Sequence, residues 1–111
     1  MSMDRDKLRK RYLQDEWPRQ VGNLASTLAR LSSRTGDARY DQVVASLLHE
    51  GTLLMEWCAP NVPLDIATDL ATMQRELILW RRIWPNDVAR SLLAFRAREM
   101  ADRLLEAAGF Y

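Results

Sequence analysis

Residues 64–85 read LDIATDLATMQRELILWRRIWP, and the fold turns on this stretch. Ile66, Leu70, Met73, Leu77, Trp80 and Trp84 recur at steps of four and three. At 100° per residue such steps line one stripe of an α-helix, and a stripe of this kind is stable only when buried against similar stripes. Pro63 precedes the run and Pro85 ends it, because proline lacks a backbone donor and clashes with the preceding turn.

Three more stripes follow the same rule. Trp17, Val21, Leu24, Leu28 and Leu31 form one, and Tyr40, Val44, Leu47, Gly51, Leu54 and Cys58 another. Ala89, Leu93, Ala97, Met100, Leu104 and Ala107 form the last. The punctuation falls between them. Thr35-Gly36-Asp37 closes the first and offers Asp37 as a cap. Ala59-Pro60-Asn61-Val62-Pro63 breaks the chain twice, Asn86 is placed to cap the last helix, and Gly109 stops it. The expected helices cover 18–34, 37–58, 64–84 and 86–108, with a short charged helix over 4–16 set apart by Pro18. Short connections make consecutive helices antiparallel. The expectation is an all-α, four-helix up-and-down bundle with a short N-terminal helix before Pro18, forming one domain over residues 1–111.

The 111 residues are 48% hydrophobic, enough for a core at this length. Sixteen basic and fifteen acidic residues give a net charge of +1, which argues against a dedicated nucleic-acid binder. The charge is uneven: residues 1–34 carry +4, residues 35–76 carry −5 and residues 77–111 carry +2. Cys58 is the single cysteine, so no internal disulfide forms, and a buried thiol suits a reducing compartment. The N-terminus lacks the apolar segment of a secretory signal, and no apolar run is long enough to span a bilayer. The expected setting is the cytoplasm.

The residues argue against an enzyme. A di-iron bundle needs Glu-x-x-His on two helices, whereas His49 is the single histidine and Ser46 stands where its glutamate would be. His49 falls about 180° from its helix's apolar stripe, so it is expected to face water beside Ala45, Thr52 and Glu56. The four glycines are too scattered for a phosphate loop. No catalytic residue, cofactor site or metal site is assigned.

Two surfaces remain as candidates for partners. Leu79 and Ile83 lie about 220° and 260° from Ile66 around their helix, on the side away from the stripe, and Leu53 and Trp57 occupy the outward side of the helix before it. Exposed apolar clusters mark interfaces, and tryptophan is enriched there. Internal cover competes: Leu8, Tyr12 and Leu13 near the N-terminus, or Phe110 and Tyr111 at the C-terminus, fold over one patch but not both. The second candidate surface is the basic segment Arg5, Lys7, Arg9, Lys10 and Arg11, diluted by Asp4 and Asp6. Arginine outnumbers lysine fourteen to two, and its planar fork suits phosphate and carboxylate. The small residues Gly22, Ala25, Ser26, Ala29 and Ser33 leave a flank for a close neighbour, and Gly51 makes room for a large one such as Trp80. The expected function is a small interaction or adaptor module, acting as a homodimer or by docking on a larger partner. A module for nucleic acid or another anionic partner is the alternative.

The run Asp15-Glu16-Trp17-Pro18-Arg19-Gln20-Val21-Gly22-Asn23-Leu24-Ala25-Ser26, with Glu56-Trp57-Cys58-Ala59 further on, resembles small helical proteins of unknown function found in cyanobacteria. That resemblance implies a bacterial, cytoplasmic setting and brings no catalytic residues with it.

Overall fold

Five α-helices carry the chain in the computed structural model, which describes residues 2–110, with side chains from Asp4 onward. They are α1 (Ser2–Gln14), α2 (Trp17–Arg34), α3 (Asp41–Cys58), α4 (Leu64–Ile83) and α5 (Arg90–Ala107). Single 3-10 turns precede α3, α4 and α5, and no strand occurs among the described residues. The protein is all-α. Its smallest dimension, 21 Å, is that of two helices stacked, each about 10 Å across.

The local chemistry explains the boundaries. Glu16 is extended, and its carbonyl accepts from Arg19 and Gln20, so α2 begins around Pro18, which needs no donor there. Asp37 accepts from the Arg39 amide, and Asn86 from the Ala89 amide, so both expected caps hold their 3-10 turns. Gly109, at φ 84°, ends α5: its amide bonds to Glu106 O while the Phe110 amide reaches Leu105 O. This is a Schellman closure, which needs the left-handed conformation that glycine adopts without strain.

Cross-helix contacts fix the neighbours. Arg34 lies over the Tyr40 ring and Asn61 Nδ2 donates to Gln20 Oε1, so α2 and α3 run antiparallel. Gln74 Nε2 donates to Thr52 O and Trp84 Nε1 to Asp41 O, which sets α4 antiparallel to α3. Ser32 Oγ donates to Ala94 O, and Gly22 meets the Phe110 ring at the other end of the α2–α5 pair. The small flank of α2 is filled only in part: Phe110 packs on Gly22 and Ala25 is buried, while Ser26 and Ser33 stay exposed.

The stripes meet in the core. Val21, Leu24, Leu28, Leu31, Val44, Leu48, Leu77, Leu93 and Ala97 are fully buried. Five stripe positions depart from expectation: Trp17, Tyr40, Trp84 and Ala89 are only half-buried and Ala107 is exposed, since each stands at a helix end. A Cβ on Gly51 would meet Leu77 Cδ1 at 3.0 Å and Leu28 Cδ2 at 3.8 Å, so the residue that requires this glycine is Leu77 and not Trp80.

One cluster pins the ends of four helices together. Arg90 donates to both carboxylate oxygens of Asp41, to Asp87 and to Thr35 O, with its guanidinium 5.0 Å from the Trp84 ring. The Asp41 carboxyl is held below the usual range chiefly by its hydrogen bonds from Arg90.

Candidate interaction surface

α1 decides which sequence-derived patch stays open. Tyr12 is its one buried side chain among those described, and its hydroxyl donates to Gln20 O at 2.6 Å. Gln20 donates in return to Tyr12 O and Asp15 O, which satisfies the buried amide and closes the α1–α2 joint. The Tyr12 ring stands 6.2 Å from that of Trp57 at a tilt of 54°. This seals Trp57, which is 8% exposed and belongs to the core, and Leu53 is half-buried beside it. Trp57 is therefore not an open interface residue: the internal cover is supplied by Tyr12. The other proposed cover, Phe110, packs on Gly22 of α2, and Tyr111 lies outside the described residues.

His49 also departs from its expected place. It is half-buried between α1 and α4, with Nε2 at 3.2 Å from Arg5 Nη2 and Nδ1 buried without a hydrogen-bond partner among the described residues. Burial lowers its pKa, aided by the nearby charges of Arg81 and Arg5. The wheel placed it opposite the stripe correctly, but α1 lies over that side of α3.

The basic segment does not form one face. Arg5 turns toward His49, whereas Lys7, Arg9, Lys10 and Arg11 are exposed at positions that circle the helix. Asp4 and Asp6 stand among them.

The α4–α5 seam is the surface that remains open. Glu76 receives two hydrogen bonds from Arg96, at 2.7 and 2.9 Å, and one from Trp80 Nε1 at 3.2 Å. The Arg96 bonds are the main cause of a lowered Glu76 pKa. Arg96 also pairs with Glu99, and Arg103 with Asp69 at 3.1 Å. These pairs make the helices antiparallel, and the register that aligns 76 with 96 and 69 with 103 aligns 80 with 92.

Beyond the last pair, toward the α4 C-terminus, polar bridging stops and apolar side chains take over. Leu79 is 58% exposed and Ile83 49% on α4; Val88, before α5, is 96% exposed. Leu92 and Phe95 of α5 are 54% and 62% exposed. By register and helical angle all five fall on one face. At these exposures they leave on the order of 500 Å² of apolar surface open, near the top of the range for the largest patch of a monomer. The sequence reading found Leu79 and Ile83 and missed Val88, Leu92 and Phe95. The signal was there: 88, 92 and 95 step by four and three, as a second stripe beside 89, 93 and 97.

Among the described residues no cluster of three or more His, Cys, Asp or Glu is placed to hold a metal ion, and no helix is long and apolar enough to cross a membrane. Comparison with known proteins finds no matching family model, no matching curated protein and no matching solved structure.

Proposed function

We propose that this chain is a small protein–protein interaction module, a four-helix up-and-down bundle with α1 as a cover, that docks through the apolar face of α4 and α5. The observation that carries this reading is the convergence of Leu79, Ile83, Val88, Leu92 and Phe95 on one open surface. The core is complete without them, so their exposure is not a packing requirement. Trp84, half-buried and bonded to Asp41 O, gives the end of that face a fixed footing. Fixed apolar groups lose little side-chain entropy when they dock.

Binding of nucleic acid or another anion by Arg5, Lys7, Arg9, Lys10 and Arg11 has weaker support. Electrostatic capture depends on several cations acting on one face, and these circle α1. A bacterial cytoplasm suits the buried, unpaired Cys58 and the resemblance carried by residues 15–26.

The test compares the wild type with Leu79→Asp/Leu92→Asp as bait, with the protein itself included among the possible prey. The expected result is binding that survives high salt in the wild type and disappears in the variant, with an unchanged helical spectrum. Binding that persists in the folded variant, or wild type that binds nothing, refutes the reading.

A further inference from the structure

We infer that the occupant of the α4–α5 face is an amphipathic helix of a partner protein, with carboxylates along the edges of its apolar stripe. The inference rests on the docking face proposed above and adds the chemistry of what that face binds.

Shape argues for a helix. Two antiparallel helices side by side leave a shallow groove along their seam, and the open apolar residues line both walls: Leu79 and Ile83 on α4, Leu92 and Phe95 on α5. By the register that pairs 76 with 96, Phe95 stands level with residue 77 and Val88 with residue 84. The face is therefore about 10 Å long, two helical turns at about 1.5 Å per residue. Apolar side chains at i, i+3 or i+4 and i+7 of a docked helix cover that length, the spacing by which grooves hold helices.

Charge selects the sign of its edges. Arg75 and Arg82 are exposed on the outward side of α4, about 10 Å apart along the axis, and Arg98 is exposed on the outer edge of α5, level with Arg75. Among the described residues none of the three takes part in an ion pair or hydrogen bond. The carboxylates around the same face are already engaged: Glu76 and Glu99 by Arg96, Asp87 by Arg90, and Asp102 within the chain. Arg96 and Arg90 each serve two carboxylates, so negative charge remains over the seam and at the bundle end. On the flanks, however, the unpaired charges are arginines. A second copy brings the same unpaired arginines to the contact, whereas a helix with carboxylates seven residues apart reaches Arg75 and Arg82 together while its apolar stripe lies in the groove. The arginine fork takes a carboxylate through two parallel hydrogen bonds, and complementary rim charge speeds encounter and rejects basic partners. A nucleic-acid backbone offers anions but no apolar stripe to fill the space between them.

The experiment uses two labelled synthetic helical peptides of about 18 residues, or five turns, read by fluorescence anisotropy. Both carry one leucine stripe; the first has glutamates beside it at seven-residue spacing, the second lysines at the same positions. Wild type is expected to bind the glutamate peptide roughly tenfold more tightly than the lysine peptide. Arg75→Glu/Arg82→Glu changes exposed, unpartnered side chains only, and is expected to reverse that preference with its helical spectrum intact. Leu79→Asp/Leu92→Asp is expected to bind neither peptide. Equal affinity for the two peptides, or a preference that survives the arginine reversals, overturns the acidic partner; if Leu79→Asp/Leu92→Asp still abolishes binding, the docking face itself stands. Glutamate-peptide binding that persists in Leu79→Asp/Leu92→Asp overturns the face as well. Failure of both peptides overturns the inference and leaves the face to the bait comparison above. Tighter binding to phosphatidylglycerol–phosphatidylcholine vesicles than to the glutamate peptide, lost in the same variants, assigns the arginines to lipid and also overturns it.

Discussion

Trp57→Ala separates a core tryptophan from an interface tryptophan, and the structure supplies the magnitude. The indole is 8% exposed, packed against the Tyr12 ring and joined to the buried set that includes Leu54 and Cys58. Truncation removes the buried aromatic area and leaves a cavity that the helices fill only in part. Losses of this kind cost about 3–5 kcal/mol. Small domains hold only about 5–15 kcal/mol in total, so the variant should be close to the limit of folding. At about 4 °C per kcal/mol for a domain of this size, its thermal midpoint should fall by about 12–20 °C. The assay is thermal unfolding followed by circular dichroism at 222 nm, with a urea titration at fixed temperature. Both are run at low protein concentration, so that association does not contribute. Because Tyr12 loses its partner, amide exchange along α1 should accelerate more than elsewhere. A midpoint within about 3 °C of the wild type, under 1 kcal/mol, would show that α1 does not seal Trp57, and the surface assignment would have to be redrawn.

Two further outcomes follow from the buried and paired groups. Cys58 is fully buried and its thiol is pushed above its usual range by desolvation, so Ellman's reagent should react with it only as the protein unfolds; reaction with native protein at the rate of a free thiol would contradict the packing. Glu76 and Asp41 have carboxyls lowered by Arg96 and Arg90, so they contribute stability above the unfolded carboxylate range near about pH 4, lost as pH falls through their folded values. Urea midpoints should therefore drop on acidification, and less steeply in Arg96→Gln; an equal slope in that variant would remove the α4–α5 bridge from the explanation.

Much of the fold was legible because helices announce themselves locally. The stripes of α2 to α5, the caps at Asp37 and Asn86 and the stop at Gly109 all depend on residues a few positions apart. The candidate surface was half legible. Leu79 and Ile83 stand on the far side of a strong stripe and could be picked out by angle. Leu92 and Phe95 belong to a helix whose core stripe is rich in alanine, so its two apolar stripes merge by eye. Trp57 and His49 were misplaced for one reason: a wheel gives the direction of a side chain on its own helix and nothing about what lies over it.

The amino-acid order alone determined that the chain is helical, where its helices begin and end to within a single 3-10 turn (α3 and α5 start at Asp41 and Arg90 rather than at 37 and 86), and which side of each is apolar, because hydrogen-bond capping and helical periodicity act within a few residues. Tertiary structure decided what covers what. α1 seals Trp57, Phe110 lies on Gly22, Leu77 takes the space at Gly51, and the face between α4 and α5 is left open. Those outcomes depend on contacts between residues tens of positions apart, set by how the helices lie against one another, and no local pattern encodes that arrangement.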